Sequence, residues 1–163
     1  MPTKPSPETL ASFALFGGLE PTCCKLLADQ MLVENWSAGQ VIYEEGDPAH
    51  ELFVVVKGRL QVRKSMGVGE LGLTELGPGD FFGEMSFLDM QPRSATVQTI
   101  DQVQMWRLDY SALREAYKSN IKCYTLVVMN IAREMSRRLR RADQSRMAIQ
   151  PQSLKPGSAL EGV

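Results

Sequence analysis

One histidine, His50, serves the whole chain of 163 residues. Metal centres built on several imidazoles are excluded on that ground, and a Ser-His-Asp or Cys-His apparatus has little to work with. Apolar runs are short. LFVVV is far below the roughly 20 residues that cross a membrane, and the opening MPTKPSPETL lacks the apolar core of a signal peptide. An excess of either charge is missing too, since the formal net charge is -1, so no global field draws the protein toward nucleic acid. The three cysteines, Cys23, Cys24 and Cys123, are an odd count without CxxC spacing. They read as reduced thiols of a cytoplasmic protein. No internal repeat is present.

What is present is ordinary globular material. Apolar residues at 44% and charged residues at 23% suit one packed domain rather than a disordered chain. Residues 1–9, with Pro2, Pro5 and Pro7, read as a disordered tail. Residues 146–163, closing on the Pro/Gly/Ser-rich QPQSLKPGSALEGV, read as another, which leaves 10–145 as the domain. Between Leu32 and Leu108 lie VIYEEGD, ELFVVVKG, RLQVRKS, ELGLTELGPGD, SATVQTI and QVQMWRLD, with glycines such as Gly39, Gly46, Gly58 and Gly77 at the breaks. Short strands at intervals of roughly 8–12 residues indicate an antiparallel sandwich or barrel. Leu60 with Val62, Leu71 with Leu73, and Val103 with Met105 alternate onto one face, as a barrel wall requires.

Helical segments flank this β region. From Glu8 to Gln30 the pattern is helical, with Pro21 suited to a first turn and Cys23, Leu26, Leu27 and Met31 on one face. Ser111–Tyr117 is a short helix, and Ser119 or Asn120 can cap a longer one running to about Ala142. In that helix Ile121, Thr125, Val128, Ala132, Met135, Leu139 and Ala142 keep a heptad seam, while Tyr124, Val127 and Ile131 form a second stripe. One stripe can pack on the domain while the other meets a second copy of the helix, giving a homodimer through residues 121–142. Alternatively, both belong to one intramolecular core. From Arg133 to Arg146 there are six arginines against Glu134 and Asp143; a solvated face explains them more simply than a nucleic-acid contact.

One stretch, FGEMSFLDMQPRSATV from Phe82 to Val97, is unlike the rest. Gly83 lets the chain turn sharply before a short helix-competent run that starts at Glu84, and it lets a ligand approach the backbone. The amides of the helix start favour an anion. Pro92 ends the run, and Arg93 returns with the planar fork that suits phosphate oxygens. A carboxylate beside a phosphate is repelled, so Glu84 makes sense if it reaches past the phosphate to a hydroxyl donor such as a sugar 2′-OH. Taken singly, each residue has a plainer explanation: a turn for Gly83, a charge complementing the helix dipole for Glu84, a surface ion pair for Arg93. Jointly, they describe a small anion bearing a neighbouring hydroxyl.

The stretch resembles the phosphate-binding cassette of the cyclic nucleotide-binding domain family, F-G-E-[L/M]-[A/S]-L followed by P-R-[A/S/T]-A-[T/S]-V. Phe87 stands where leucine is common. Upstream, VIYEEGDPAHELFVVVKGRLQV resembles the family's strand–G-D–strand–G segment, with Gly46, Asp47 and Gly58 in place. The resemblance implies a mainly β fold, a double-stranded β-helix (jelly-roll) barrel with an N-terminal helix and C-terminal helices. It further implies that Phe82 and Gly83, with the amides of Met85 and Ser86, meet a cyclic phosphate, that Glu84 accepts the ribose 2′-OH, and that Arg93 neutralises the phosphate, with Ser94 and Ala95 completing the cradle. Threonine at position 94 would favour cGMP, so Ser94 points toward cAMP with cGMP as the competitor. The base is expected against Leu71 and Leu73 under the long helix near Ile131 or Met135.

The expected protein is therefore a non-enzymatic cytoplasmic receptor without cofactor or metal, signalling to an effector protein through its phosphate loop and C-terminal helix. A nucleotide-independent interaction module on the same fold is the alternative. About 20 residues follow Ala142, with no helix-turn-helix pattern. The sequence thus reads as a stand-alone sensor or as a piece of a longer chain.

Overall fold

An uninterrupted apolar run such as LFVVV needs cover on both faces, and the fold supplies it. In the computed structural model, which describes residues 4–149 except Val68, that run is strand β3 (Glu51–Lys57). The other strands are β1 (Leu32–Trp36), β2 (Val41–Tyr43), β4 (Leu60–Ser65), β5 (Glu70–Leu76), β6 (Phe81–Phe82), β7 (Thr96–Thr99) and β8 (Val103–Asp109). They form two antiparallel four-stranded sheets in the orders β1-β8-β3-β6 and β2-β7-β4-β5. Alternation along β3 and β8 sends Phe53, Val55, Val103 and Met105 toward the second sheet. There they meet Leu60, Leu76 and Val97 in one core cluster with Phe82. The opposite face of the first sheet carries the buried Leu52, Val54, Trp106 and Leu108 and is covered by helices.

Those helices are α1 (Pro7–Ala11), a single 3₁₀ turn at Ala14–Phe16, α2 (Pro21–Gln30), α4 (Tyr110–Ser119) and α5 (Ile121–Ile149); α3 (Glu84–Asp89) lies within the β region. Helices α2 and α4 pack on β8 and on each other, and Phe13 packs on Trp106 as a tilted ring pair with centroids 4.8 Å apart. Pro21 sits in the first turn of α2, and Asn120 Oδ1 caps α5 by accepting from the Cys123 amide at 3.2 Å. Gly58 turns β3 into β4 at φ +86°. A side chain there would strike the Gln102 carbonyl oxygen and come within 2.9 Å of Val103 Cα.

The jelly-roll is present, yet its two sheets are not closed into a barrel: among the described residues no ladder joins them. Leu71 and Leu73 are not part of a buried wall. They are 48% and 50% exposed, because β5 is an edge strand and only Leu76 at its end reaches the core. Residues 7–9, expected in a tail, begin α1 instead. The Ser6 side chain accepts from the Thr9 amide at 3.2 Å, and Leu10 is buried. At the other end, α5 continues past Ala142 through Ile149; residues 1–3 and 150–163 of the expected tails lie outside the described residues.

The cysteines also differ from expectation. Cys23 in α2 and Cys123 in α5 are joined as a disulfide, with their Cα atoms 5.8 Å apart, while Cys24 keeps a buried free thiol. A pair separated by 100 residues leaves no local spacing to read.

The chain divides after Ile131 into two compact units. Within the first, α5 buries Cys123, Val127, Asn130 and Ile131, so the stripe containing Val127 and Ile131 is a core face. Ile121 and Thr125 are exposed and Val128 is half-buried. In the second unit, Glu134 gathers Arg137, Arg138 and Arg141 at 3.2, 3.4 and 3.6 Å. There Ala132, Leu139 and Ala142 are exposed and Met135 half-buried. The heptad seam is thus largely uncovered along α5.

Candidate functional site

Strand β6 is only two residues long, and its pairing with β3, Phe81 against Val54 and Phe82 against Phe53, delivers Gly83 to the edge of the core. Phe82 itself is core, stacked on Phe53 at 5.0 Å. Gly83 adopts φ +85°, and an added Cβ would lie 2.7 Å from Arg93 Nη1 and 2.9 Å from the Glu51 carbonyl oxygen. Glycine is required here on two counts, backbone conformation and the close passage of an arginine side chain. The Gly83 carbonyl accepts from Tyr110 Oη at 2.7 Å.

Helix α3 follows, with Glu84 and Ser86 buried and Met85 exposed. It ends at Met90, in the left-handed region at φ +57°, whose amide bonds the Ser86 carbonyl at 3.1 Å. Ser86 Oγ donates to the Pro92 carbonyl at 3.3 Å. Arg93 is then bracketed by the Gly46-Asp47 turn: its amide donates to the Asp47 carbonyl and its carbonyl accepts from the Gly46 amide, both at 2.9 Å. The glycine and aspartate legible in the sequence therefore position Arg93.

The Arg93 side chain is 1% exposed. Nη1 donates to the Glu51 carbonyl at 2.9 Å, and the guanidinium carbon lies 4.1 Å from the centroid of the Tyr43 ring, a cation–π distance. Nη2 is 3.3 Å from Glu51 Oε1 and a side-chain hydrogen bond with Arg93 weakly counters the rise of the Tyr110 hydroxyl, yet Nε and Nη2 are buried donors that make no well-formed hydrogen bond. Burial pushes the Tyr43 hydroxyl far above the ordinary tyrosine range against the pull of Arg93, with Glu84, Tyr110 and Glu51 adding to the rise. Burial likewise pushes Tyr110 up to about 12, again opposed by Arg93. Positive and negative groups are thus packed around two neutral phenols. The arrangement can bind and orient an anion. Among the described residues no group of three or more His, Cys, Asp or Glu side chains could hold a metal ion.

Of the residues expected at the site, Glu84, Ser86, Arg93 and Ala95 are buried and Gly83 is half-buried, in α3 and in the segments that flank it. Ser94 is exposed, its Oγ 3.5 Å from Met85 Sδ. Leu71 and Leu73 stand on β5 with open apolar surface. Ile131 is fully buried in the helical core, so it is not a free lid, and Met135 belongs to the second unit. Sequence reasoning missed Tyr43, Glu51 and Tyr110. Nothing in the sequence marked them: β2 is three residues long, with a register shift between Val41 and Tyr43 that leaves no alternation to read.

Beside α3 lies a cavity of about 590 Å³ lined by His50, Ser86, Phe87, Tyr110, Tyr117 and Tyr124, among others. Phe87 meets Tyr110 at 5.1 Å and Tyr124 at 6.4 Å, and Tyr117 meets Tyr124 at 5.2 Å. The phenylalanine that departs from the leucine common at this position is the residue that joins α3 to α4 and the start of α5.

The protein-family model described as cyclic nucleotide-binding domain matches residues 33–120. A CRP-like cAMP-activated global transcriptional regulator of Mycobacterium tuberculosis is 31% identical over 139 residues, which cover 85% of this chain and 60% of that protein. The cyclic AMP receptor protein of Thermus thermophilus is 35% identical over 130 residues, covering 79% and 58%. The chain thus spans about 60% of the length of these relatives. The co-crystal structure of the regulatory domain of Toxoplasma gondii PKA with cAMP is similar with a TM-score of 0.64 and 27% identity, over 68% of this chain and 42% of that one.

Proposed function

Because the chain belongs to the cyclic nucleotide-binding domain family, we propose that it is a non-enzymatic receptor that prefers cAMP to cGMP and signals to an effector protein through α3 and α5. The buried Arg93 guanidinium, with two donors that make no well-formed hydrogen bond, carries this reading. Nothing in the packing of two sheets calls for a cation there, and the exocyclic oxygens of a cyclic phosphate would satisfy both donors. The amides of Met85 and Ser86 add donors, Glu84 takes the ribose 2′-OH, Ser94 and Ala95 close the cradle, and Leu71 and Leu73 offer apolar surface to the base.

Transmission runs from Phe87 to Tyr110 and Tyr124, so that a shift of α3 on binding acts on the start of α5. The uncovered seam from Ile121 to Ala142 serves a second copy of the chain. No helix among the described residues is long and apolar enough to cross a membrane, and the cytoplasm is the proposed compartment. No cofactor and no nucleic-acid contact enter the scheme.

Calorimetric titration of the purified protein with cAMP and with cGMP tests it. Measurable binding is expected, tighter for cAMP. Arg93→Ala should weaken it by about 100-fold or more, since hydrogen bonds to charged groups contribute about 1.5–3 kcal/mol each. No heat with either ligand from a folded sample would overturn the reading.

A further inference from the structure

The Cys23–Cys123 bridge joins elements that the sequence keeps 100 residues apart. Cys23 lies in the first turn of α2 and Cys123 in the first turn of α5. The loop of chain between them contains both sheets and α3. Further along α5, Asn130 Nδ2 donates to the Leu15 and Gly17 carbonyls, both at 3.0 Å. The part of α5 that ends at Ile131 is therefore held to the N-terminal segment twice, once covalently. The residue after Cys123 is Tyr124, whose ring faces Phe87 of α3. The bond pins the turn that α3 touches.

We propose that the Cys23–Cys123 pair is a redox-operated clamp on the start of α5, closed by the disulfide and opened by a dithiol, and that opening it strengthens cyclic-nucleotide binding. The second half rests on the proposed receptor function. If a ligand moves α3, Phe87 has to displace Tyr124, and a turn fastened to α2 resists that displacement. A ligand can shift such an equilibrium only by its differential affinity, so resistance appears as weaker binding. Both bridge cysteines are buried, Cys23 to 3% and Cys123 to 2% exposure, so the opening step follows a local opening of the first turn of α5. One thiolate of the dithiol then attacks a bridge sulfur and forms a mixed disulfide, expelling one cysteine thiolate. The second thiol of the reagent closes its own disulfide and expels the other. Two electrons and two protons end on Cys23 and Cys123, and the dithiol leaves as a cyclic disulfide.

Cys24 does not divert this exchange. Its thiol is buried, directed at the Leu19 carbonyl at 3.9 Å, and raised in pKa by desolvation, which keeps it protonated and a poor nucleophile. In a reducing compartment a bridge of this kind is transient and serves sensing, whereas in an oxidising one it persists as a staple. The two roles are separable by experiment.

The purified protein, oxidised, treated with dithiothreitol without denaturant, or carrying Cys123→Ser, is compared by mass spectrometry of alkylated thiols, by amide hydrogen exchange and by cAMP titration. The amides of Cys123 and Tyr124, bonded to Asn120, report on the pinned turn. We expect reduction under native conditions, exchange at these two amides faster by about tenfold in the reduced and Cys123→Ser proteins with β3 and β8 unchanged, and a cAMP Kd about threefold lower. A bridge reduced only in denaturant, unchanged exchange at the first turn, or equal acceleration in β3 and β8 would make the bond a static staple and overturn the clamp. Faster local exchange with an unchanged Kd would overturn the coupling to nucleotide. Faster local exchange in a protein that binds no cAMP in either form supports the clamp and counts against the receptor function instead.

Discussion

Arg93 is buried to 1% side-chain exposure beside the Glu51 carboxylate, which is itself 29% exposed. Charge alone does not hold it there. The Tyr43 ring at 4.1 Å and the Glu51 carbonyl at 2.9 Å replace part of the lost hydration. Tyr43→Phe keeps the ring and should leave nucleotide affinity within about twofold. Tyr43→Leu should weaken it several-fold, the equivalent of a cation–π contribution of about 0.5–2 kcal/mol, with calorimetry separating the two. Gly83 is a stricter position. Ala at φ +85° is strained by about 1–2 kcal/mol, and its Cβ displaces Arg93 Nη1. Gly83→Ala should therefore lower the urea midpoint and abolish cAMP binding together; a variant that binds normally would contradict the packing described.

At the scale of elements, α3 and α5 are joined by aromatic contacts while α5 and the N-terminal segment are joined by a bridge and an amide. Phe87→Leu removes ring pairs that contribute about 0.5–1.5 kcal/mol each. Nucleotide affinity should be largely retained, while the cAMP-induced change in α5 amide exchange should shrink. Asn130→Leu should cost about 1–3 kcal/mol in denaturant unfolding, because the buried Leu15 carbonyl and the half-buried Gly17 carbonyl lose their donor. The cassette and most strands were legible because each depends on local pattern: glycine and proline at fixed offsets, and alternation within a strand. What was illegible depends on distance along the chain or on too few residues. Phe81-Phe82 is too short to show a period, LVENW lacks clear alternation, and neither the Cys23–Cys123 pairing nor the placement of Tyr110 against Gly83 has any sequence-local trace. Leu71 and Leu73 alternate correctly, but alternation cannot tell an edge strand from a covered one.

For the whole molecule, titration and association supply the tests. Tyr43 and Tyr110 are both raised by burial, Tyr110 to about 12. A tyrosine in the unfolded chain ionises near about 10, so the folded state keeps these groups protonated where the unfolded state does not. Their contribution to stability is present below about pH 10 and is lost as pH rises toward about 12. Urea midpoints should accordingly fall over that window, and fall less steeply in Tyr43→Phe. The seam on α5 makes a second demand. If a second copy covers it, Leu139→Lys, at a position 63% exposed in the single chain, should shift the protein from dimer to monomer in analytical ultracentrifugation without altering its thermal unfolding as a monomer.

Receipt of a phosphate by the Arg93 donors is open to direct measurement. The Arg93 side-chain Nε–H resonance, assigned by its loss in Arg93→Lys and followed by ¹⁵N-edited NMR during titration with cAMP, reads this atom directly. A saturable downfield shift of that one proton is expected, with protection from solvent exchange, and no shift with adenosine. A resonance unmoved by saturating cAMP would contradict it.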